Sequence, residues 1–458
     1  MRIALIFLEL ENTVHKRYQL QLRVPFGLLY LKSSLIKHSH IVQILDERLL
    51  LFSMRSLVKK IRTHRYDVVG FHVNSVNLQK TLMYIKNIRK AFPDLTIIAG
   101  GPGAIHYCEL LESGCSVVCH GEGEDRFPEI LKRISGKLTF SGIDGISYYE
   151  NSKIKHSVPY TQTDLDTLEM PYWDRHLILS YGDNYIPTLK RPTATVIASR
   201  GCTFNCSFCT TPGMSPAKRY RMRKVPHVID EICLLKEKYG VRYITFMDDL
   251  FGAQKDWIHD FCNALIKEKM RINWFCLLHP MSFKYDREGV FGLMRRSGCD
   301  CVAFGVQSNN SQILQNIKRH PSEPQELAKG LAVCRSLGIR TTATYILGLP
   351  GETHNTINDN LNFSLRHMPD FADFHELVPL PGSELVIKGT DNPTRLSNRE
   401  VLSYCRKSMF RFYSNPRVIA NLLTRIIFNN YNFTRHLLNV LKAHIAEVIN
   451  PFSVTTEN

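Results

Sequence analysis

The chain has 458 residues, 44% hydrophobic and 22% charged, a globular make-up too long for one ordinary core, so two or three domains are expected. No apolar run approaches the length that spans a bilayer, and charge soon interrupts the N-terminal stretch, so neither a transmembrane segment nor a signal peptide is expected and the cytoplasm is the expected compartment. The formal net charge of +16 admits nucleic acid, an anionic membrane surface or a polyanionic ligand, although a solvated surface with no partner is the commonest cause of such a balance.

Strand and helix signals alternate through the first part. Apolar runs at 3–8, 41–46, 67–73, 95–100 and 116–120 predict strands, with helices at 25–36, 54–64, 78–92, about 105–113 and from about 126. Pro25 opens the first of these helices. Continuous apolar strands with helices between them mean a parallel sheet covered on both faces, a doubly wound α/β domain over 1–160. Ligands of such sheets bind at strand carboxyl ends, so the loops after Phe7, Asp46, Val73, Gly100 and His120 form the candidate binding edge. A small hairpin near 145–149 and a linker at 161–190 follow, in a region marked by Pro159, Pro171 and Pro187.

A second series begins at Thr193, with strands predicted at 195–199, 243–248, 273–278, 301–306, 340–347 and 373–378 and helices notably at 227–239, 255–269 and 323–337. Six such repeats over 191–390 suit an open, partial (β/α)6 barrel whose strand carboxyl ends share one side. After its first strand, residues 199–213 read Ser-Arg-Gly-Cys-Thr-Phe-Asn-Cys-Ser-Phe-Cys-Thr-Thr-Pro-Gly, which spaces Cys202, Cys206 and Cys209 as Cys-x-x-x-Cys-x-x-Cys. Three thiolates can hold three irons of a cubic 4Fe–4S cluster, and the missing fourth leaves one iron open to a substrate. A zinc site would ask for four ligands, usually as two pairs, and no second pair lies close by. The pairs Cys115/Cys119 and Cys299/Cys301 have apolar neighbours and read as buried structural thiols.

Beyond 390 the pattern turns helical, and 391–458 forms a basic extension with nine Lys/Arg against four Asp/Glu. Val418/Leu422/Ile426 and Ile419/Leu423/Ile427 recur four residues apart, with Arg417 and Arg425 off the stripe. A basic amphipathic helix can lie on an anionic membrane, so peripheral membrane contact is one reading, but packing of the stripe on the barrel is the first expectation.

The cysteine segment, with aromatic Phe208 before its last cysteine, resembles the signature of the radical S-adenosylmethionine (SAM) enzymes, whose open iron chelates SAM. Four later segments agree: Thr-Phe-Met-Asp-Asp-Leu-Phe at 245–251, Phe-Gly-Val-Gln-Ser at 304–308, Ile-Leu-Gly-Leu-Pro-Gly-Glu-Thr at 346–353 and Val-Pro-Leu-Pro-Gly-Ser at 378–383. The first half resembles the cobalamin-binding domain of one branch of that family. It does so through Pro-Phe-Gly-Leu-Leu-Tyr-Leu at 25–31, Ile-Leu-Asp at 44–46, Ile-Ala-Gly-Gly-Pro at 98–102 and His-Gly-Glu-Gly-Glu-Asp at 120–125, with Met-Pro-Tyr at 170–172 in the linker. The fold implied is a Rossmann-like cobalamin-binding domain, a partial radical SAM barrel and a helical C-terminal extension.

The resemblance also implies roles. Cys202, Cys206 and Cys209 would be the metal ligands; Phe208, Thr210, Thr211, Gln307 and Ser308 would lie along SAM, and Arg221 and Arg223, matching the family's habitual arginines, would meet a cofactor. These arginines sit in a basic run with Lys218, Arg219 and Lys224 that could also be a solvated helix entry. Gly100, Gly101 and Ser75 would serve cobalamin, the glycines by letting backbone approach it closely. Gln307 stands where the family has glutamate, and the Asp-x-His-x-x-Gly motif is absent, so the lower face of cobalt is expected to carry no histidine. Asp248 and Asp249 either bind substrate or cap the following loop. The implied activity is methyl transfer to an unactivated carbon of a natural product, lipid or peptide: SAM is cleaved reductively to methionine and a 5′-deoxyadenosyl radical, a substrate hydrogen is removed, and cobalamin delivers the methyl group. The alternatives are oxidative cyclisation or rearrangement with the same cofactors and, from another class, a basic nucleic-acid-binding or modifying protein. The partners expected are a small-molecule or peptide substrate and an electron donor such as flavodoxin or ferredoxin. Nucleic acid is not expected, because Cys108, Cys115 and Cys119 do not clearly supply the second cluster of the tRNA methylthiotransferases.

Overall fold

The computed structural model describes residues 1–9, 24–157, 161–181, 190–214, 220–387, 394 and 396–429. Five strands, β1 (Arg2–Phe7), β2 (Ile41–Asp46), β3 (Val68–His72), β4 (Thr96–Gly100) and β5 (Val117–Cys119), pair in parallel. The hairpin of β6 (Ile146–Glu150) and β7 (Lys153–Ser157) extends them antiparallel, giving the order β2-β1-β3-β4-β5-β6-β7. Its turn is made by Asn151 and Ser152 at φ 49° and 60°, left-handed values that match the twist of the strands they join. Ile3, Ala4 and Ile6 are wholly buried because helices cover both faces. Leu57, Ile61, Leu82 and Ile85 cover one face from the helices Met54–His64 and Leu78–Ala91. Leu28, Leu35 and Ile130 cover the other from Phe26–Lys37 and Arg126–Ser135. Strand order reverses at β1, so the carboxyl ends of β1 and β3 open a crevice.

The second half contributes β8 (Thr193–Val196), β9 (Ser199–Arg200), β10 (Arg221–Met222), β11 (Tyr243–Phe246), β12 (Asn273–Leu278), β13 (Cys299–Gln307), β14 (Arg340–Leu347) and β15 (Phe371–Glu376). Six of these form an all-parallel sheet in the order β15-β14-β13-β12-β11-β8, with β8 and β15 as its edges, as an open barrel has. The first strand ends at Val196, short of the predicted 199, because the chain bends there: Arg223 N donates to Ala198 O at 2.8 Å, and β9 pairs antiparallel with β10. That two-residue ladder ties off the cysteine segment at its base. It is too short to carry any periodicity.

The predicted linker is not a solvated tether where it is described. Trp173, Leu177, Ile178 and Tyr181 are buried in one core with Phe26 and Tyr30 of the first domain and Ala194 and Val196 of β8. Pro159 and Pro187 lie outside the described residues. The helix Asn398–Tyr413, opened by a capping box of Ser397 and Glu400, lies against β15 and buries Val401, Cys405 and Phe412. The helix Pro416–Asn429 turns Val418 inward but leaves Ile419 38% and Leu423 45% exposed, so the expected packed stripe divides. The side chains of Leu422, Arg425, Ile426 and Ile427, and all residues beyond 429, lie outside the described residues. No helix among the described residues is long and apolar enough to cross a membrane.

Candidate active site

The cysteine segment hangs from the carboxyl end of β8 and is held by contacts on several sides. Gly201 takes φ 87°, a value glycine adopts without strain. Phe204 stacks on His279 with centroids 3.7 Å apart. Ser207 N donates to Ile317 O at 3.2 Å, and Leu385 N donates to Ser207 O at 3.0 Å. Phe208, expected along SAM, packs on the apolar cluster of Ile313, Leu314, Ile317 and Leu349 and anchors the loop on that side. Cys206 is buried, whereas Cys202 and Cys209 are half-buried. Burial pushes the Cys206 thiol up to about 11 and raises Cys202 as well, with the Arg319 guanidinium working against burial at both. Iron binding therefore has to displace protons from these thiols. Among the described residues no three His, Cys, Asp or Glu side chains gather as ligands of a single ion would. A cubic cluster makes a different demand, one thiolate on each of three irons, and a loop carrying three thiols, two of them half-buried, suits it.

Arg319, which the sequence reading missed, is 8% exposed and donates to Glu323 at 2.8 and 2.5 Å and to Gly305 O at 2.7 Å. Its charge is fixed beside the thiols. Burial and then Arg319 push His279 down to about 2, so its 3.4 Å approach to Glu323 is made by a neutral imidazole. Gln307 ends β13 at φ 67° beside a bulge, which turns the chain out of the ladder. Thr210 and Thr211 are half-buried just after Cys209. Ser308 differs from expectation: it is 1% exposed, and its Oγ accepts from Asn310 N at 3.2 Å, so the hydroxyl braces a turn.

The arginines expected at a cofactor are occupied elsewhere. Arg223 is buried and donates to Glu231 at 2.5 Å, Ile197 O at 2.9 Å and His227 O at 3.1 Å. Arg221 crosses to the first domain and donates to both oxygens of Glu122, at 2.5 and 3.1 Å, and to Thr163 O. Lys224 pairs with Asp166 at 3.6 Å, while Lys218 and Arg219 lie outside the described residues. Asp248 neither caps the next loop nor faces open space. It is 3% exposed, accepts from Ser199 Oγ at 2.5 Å, and keeps Oδ2 buried without a partner. Burial raises its carboxyl to about 7.

A cleft with about 940 Å³ of empty space, part of it open to solvent, lies over the crevice of the first sheet. Gly27, Gly70, Gly100, Gly101, Gly121 and Gly123 all line it, and Ile197 and Arg200 of the second domain close it. A Cβ on Gly101, at φ 97°, would stand 2.9 Å from Val73 O, while one on Gly27 would meet nothing within 4 Å. Such bare backbone beside apolar Leu5, Leu28 and Ile98 fits a bulky ligand with an apolar macrocycle and a polar amide rim, such as a corrinoid. Ser75 does not line this cleft and belongs to the turn before Leu78–Ala91. His72 does line it, stacked on Phe7 at 5.1 Å with Nδ1 buried and unpartnered; burial pushes it down to about 4, so it is neutral. Its period-two relation to Gly70 along β3 was the available signal.

The two domains meet in an ion-pair network. Arg200, two residues before Cys202, reaches Glu122 at 3.1 Å and Glu124 at 2.6 Å, and its guanidinium lies 5.1 Å from the Tyr30 ring centroid. Burial works to raise the Glu122 carboxyl, but Arg221 and Arg200 outweigh it and hold it below its usual value. The cleft and the cysteine loop thus share a wall.

Comparison with known proteins agrees with this division. Residues 196–364 match the Radical SAM superfamily model and residues 22–131 match the B12 binding domain model. An uncharacterized methyltransferase of Pyrococcus horikoshii is 26% identical over 456 residues, covering 94% of this chain and 96% of its own. The anaerobic magnesium-protoporphyrin IX monomethyl ester cyclase of Rubrivivax gelatinosus is 24% identical over 416 residues, covering 84% of this chain and 72% of its own. Among solved structures, the cobalamin-dependent S-adenosylmethionine radical enzyme OxsB with aqua-cobalamin and S-adenosylmethionine bound superposes with a TM-score of 0.73 at 16% identity, over 99% of this chain and 73% of that one. At that identity the likeness is one of fold.

Proposed function

The chain belongs to the cobalamin-dependent radical SAM enzymes, and from that premise we propose that it is a methyltransferase acting at an unactivated carbon. The observation that carries this reading is the shared wall: Arg200 lines the glycine-rich cleft and stands two residues from Cys202. Both cofactors can therefore face one substrate.

When bound, a cluster on Cys202, Cys206 and Cys209 supplies an electron to SAM, and a cobamide in the cleft carries a methyl group. The protein's own residues position these partners and keep water out. Cys202, Cys206 and Cys209 would hold the cluster, and no fourth cysteine of this segment would compete with SAM for it. Arg319 sets a positive charge beside the thiolates and offsets their accumulated negative charge. Gln307, Thr210 and Thr211 are the proposed SAM contacts, and Gly100 and Gly101 are the proposed points of close corrinoid approach. Phe204 on His279 closes one side of the loop with a neutral aromatic pair. The proposed reductant is a small electron-transfer protein such as flavodoxin or ferredoxin, the proposed substrate class a small molecule or peptide, and the proposed compartment the cytoplasm.

The test is turnover with methyl-deuterated SAM on the reconstituted enzyme. Methyl transfer consumes two SAM molecules by different routes, so labelled product should appear with 5′-deoxyadenosine and S-adenosylhomocysteine in equal amounts. Unlabelled product with 5′-deoxyadenosine alone would reject methyl transfer in favour of cyclisation or rearrangement.

A further inference from the structure

Residues 401–446 hold seven Lys/Arg and no Asp or Glu, in a chain whose other segments mix both signs. Where this stretch is described it forms the end of the barrel. Asn398–Tyr413 turns Val401, Cys405, Ser408 and Phe412 inward and exposes Arg406, Lys407, Phe410 and Arg411. Pro416–Asn429 turns Val418 inward and exposes Arg417, Ile419 and Leu423. Leu423 is 45% exposed and Ile419 38%. Glu400 is the single carboxylate of the two helices, and it pairs with His354 at 3.8 Å.

We propose that these two helices seat the enzyme on an anionic lipid surface, with Ile419 and Leu423 entering the headgroup boundary and Lys407, Arg411 and Arg417 meeting lipid phosphates. Apolar side chains interleaved with cations are what an interfacial helix presents. A second copy fits poorly, since a two-fold interface would set the same cations against each other. RNA fits poorly too, because aliphatic Ile419 and Leu423 offer neither a stacking face nor a hydrogen bond.

The test is co-sedimentation of the full reconstituted chain with phosphatidylcholine vesicles, with and without phosphatidylglycerol. Binding is expected to need the anionic lipid and to weaken as salt shortens the Debye length. Arg411→Gln with Arg417→Gln should weaken it by about 30-fold, taking about 1 kcal/mol per cation near such a surface. Ile419→Ser with Leu423→Ser should weaken it by roughly tenfold or more. SAM cleavage by both variants should match the parent, which shows that they fold; the salt and lipid dependence of the parent stands without them. Equal binding to neutral vesicles, variants that bind like the parent, a dimer that the variants dissociate, or capture by tRNA in place of vesicles would each overturn the proposal.

Discussion

Glu352 sits in the Gly-Leu-Pro-Gly-Glu-Thr segment at 1% exposure, accepting from Gly348 N at 2.5 Å and Leu349 N at 3.1 Å. Burial raises its carboxyl to about 7, and the backbone donors oppose the rise without cancelling it. The folded chain thus holds this proton more tightly than the unfolded one. That stabilisation is complete below the unfolded value near pH 4 and is lost as pH rises through about 7, a swing on the order of 3 kcal/mol. Glu352→Gln cannot ionise, so its melting temperature relative to the parent should climb between pH 5 and pH 8, measured by calorimetry of the reconstituted protein; a constant offset would show that Glu352 ionises freely. The three cysteines were legible because their meaning is local, a spacing within eight residues. Arg319, His72 and Glu122 were not, because each acquires its role from a partner distant in the chain.

Among elements, the strands of the first sheet were readable as apolar runs, since burial on two faces favours that composition. The β9–β10 ladder was not readable. Two residues carry no period, and the ladder depends on Arg223, whose side chain is buried against Glu231. Charge was the least legible property, because a basic run looks alike whether solvated, cofactor-bound or spent on an inter-domain pair. Arg221→Ala separates these outcomes. Removing a half-buried guanidinium from Glu122 should cost about 1–3 kcal/mol and lower the melting temperature accordingly. SAM affinity, measured by equilibrium binding, should stay within a few-fold of the parent. A large loss of SAM affinity with stability unchanged would return Arg221 to the cofactor.

At the scale of the molecule, two sheets belong to one structure. Phe26 and Tyr30 lie on a helix that covers the first sheet, yet they are members of the core that holds β8, β11 and β14. Tyr181 of the intervening segment donates to Asp46 at 2.5 Å at the end of β2. Glu122 and Glu124 complete the bond through Arg200. Calorimetry should therefore record one unfolding transition. Two separated transitions, with the first domain melting as it does when expressed alone as 1–160, would show that the contacts join independent units.

The buried segment around Trp173 has a further consequence, for ancestry. Domains joined by a loose tether can be exchanged between genes, because each arrives with its surface finished. Here Trp173, Leu177 and Ile178 fill space that neither neighbour closes alone, and Phe26 reaches across to meet them. A graft of this first half onto another barrel would carry an unfinished surface into a host not shaped for it. The two halves have to change in step, so a lineage that alters the glycine-lined cleft must also revise the residues that carry the cysteine loop.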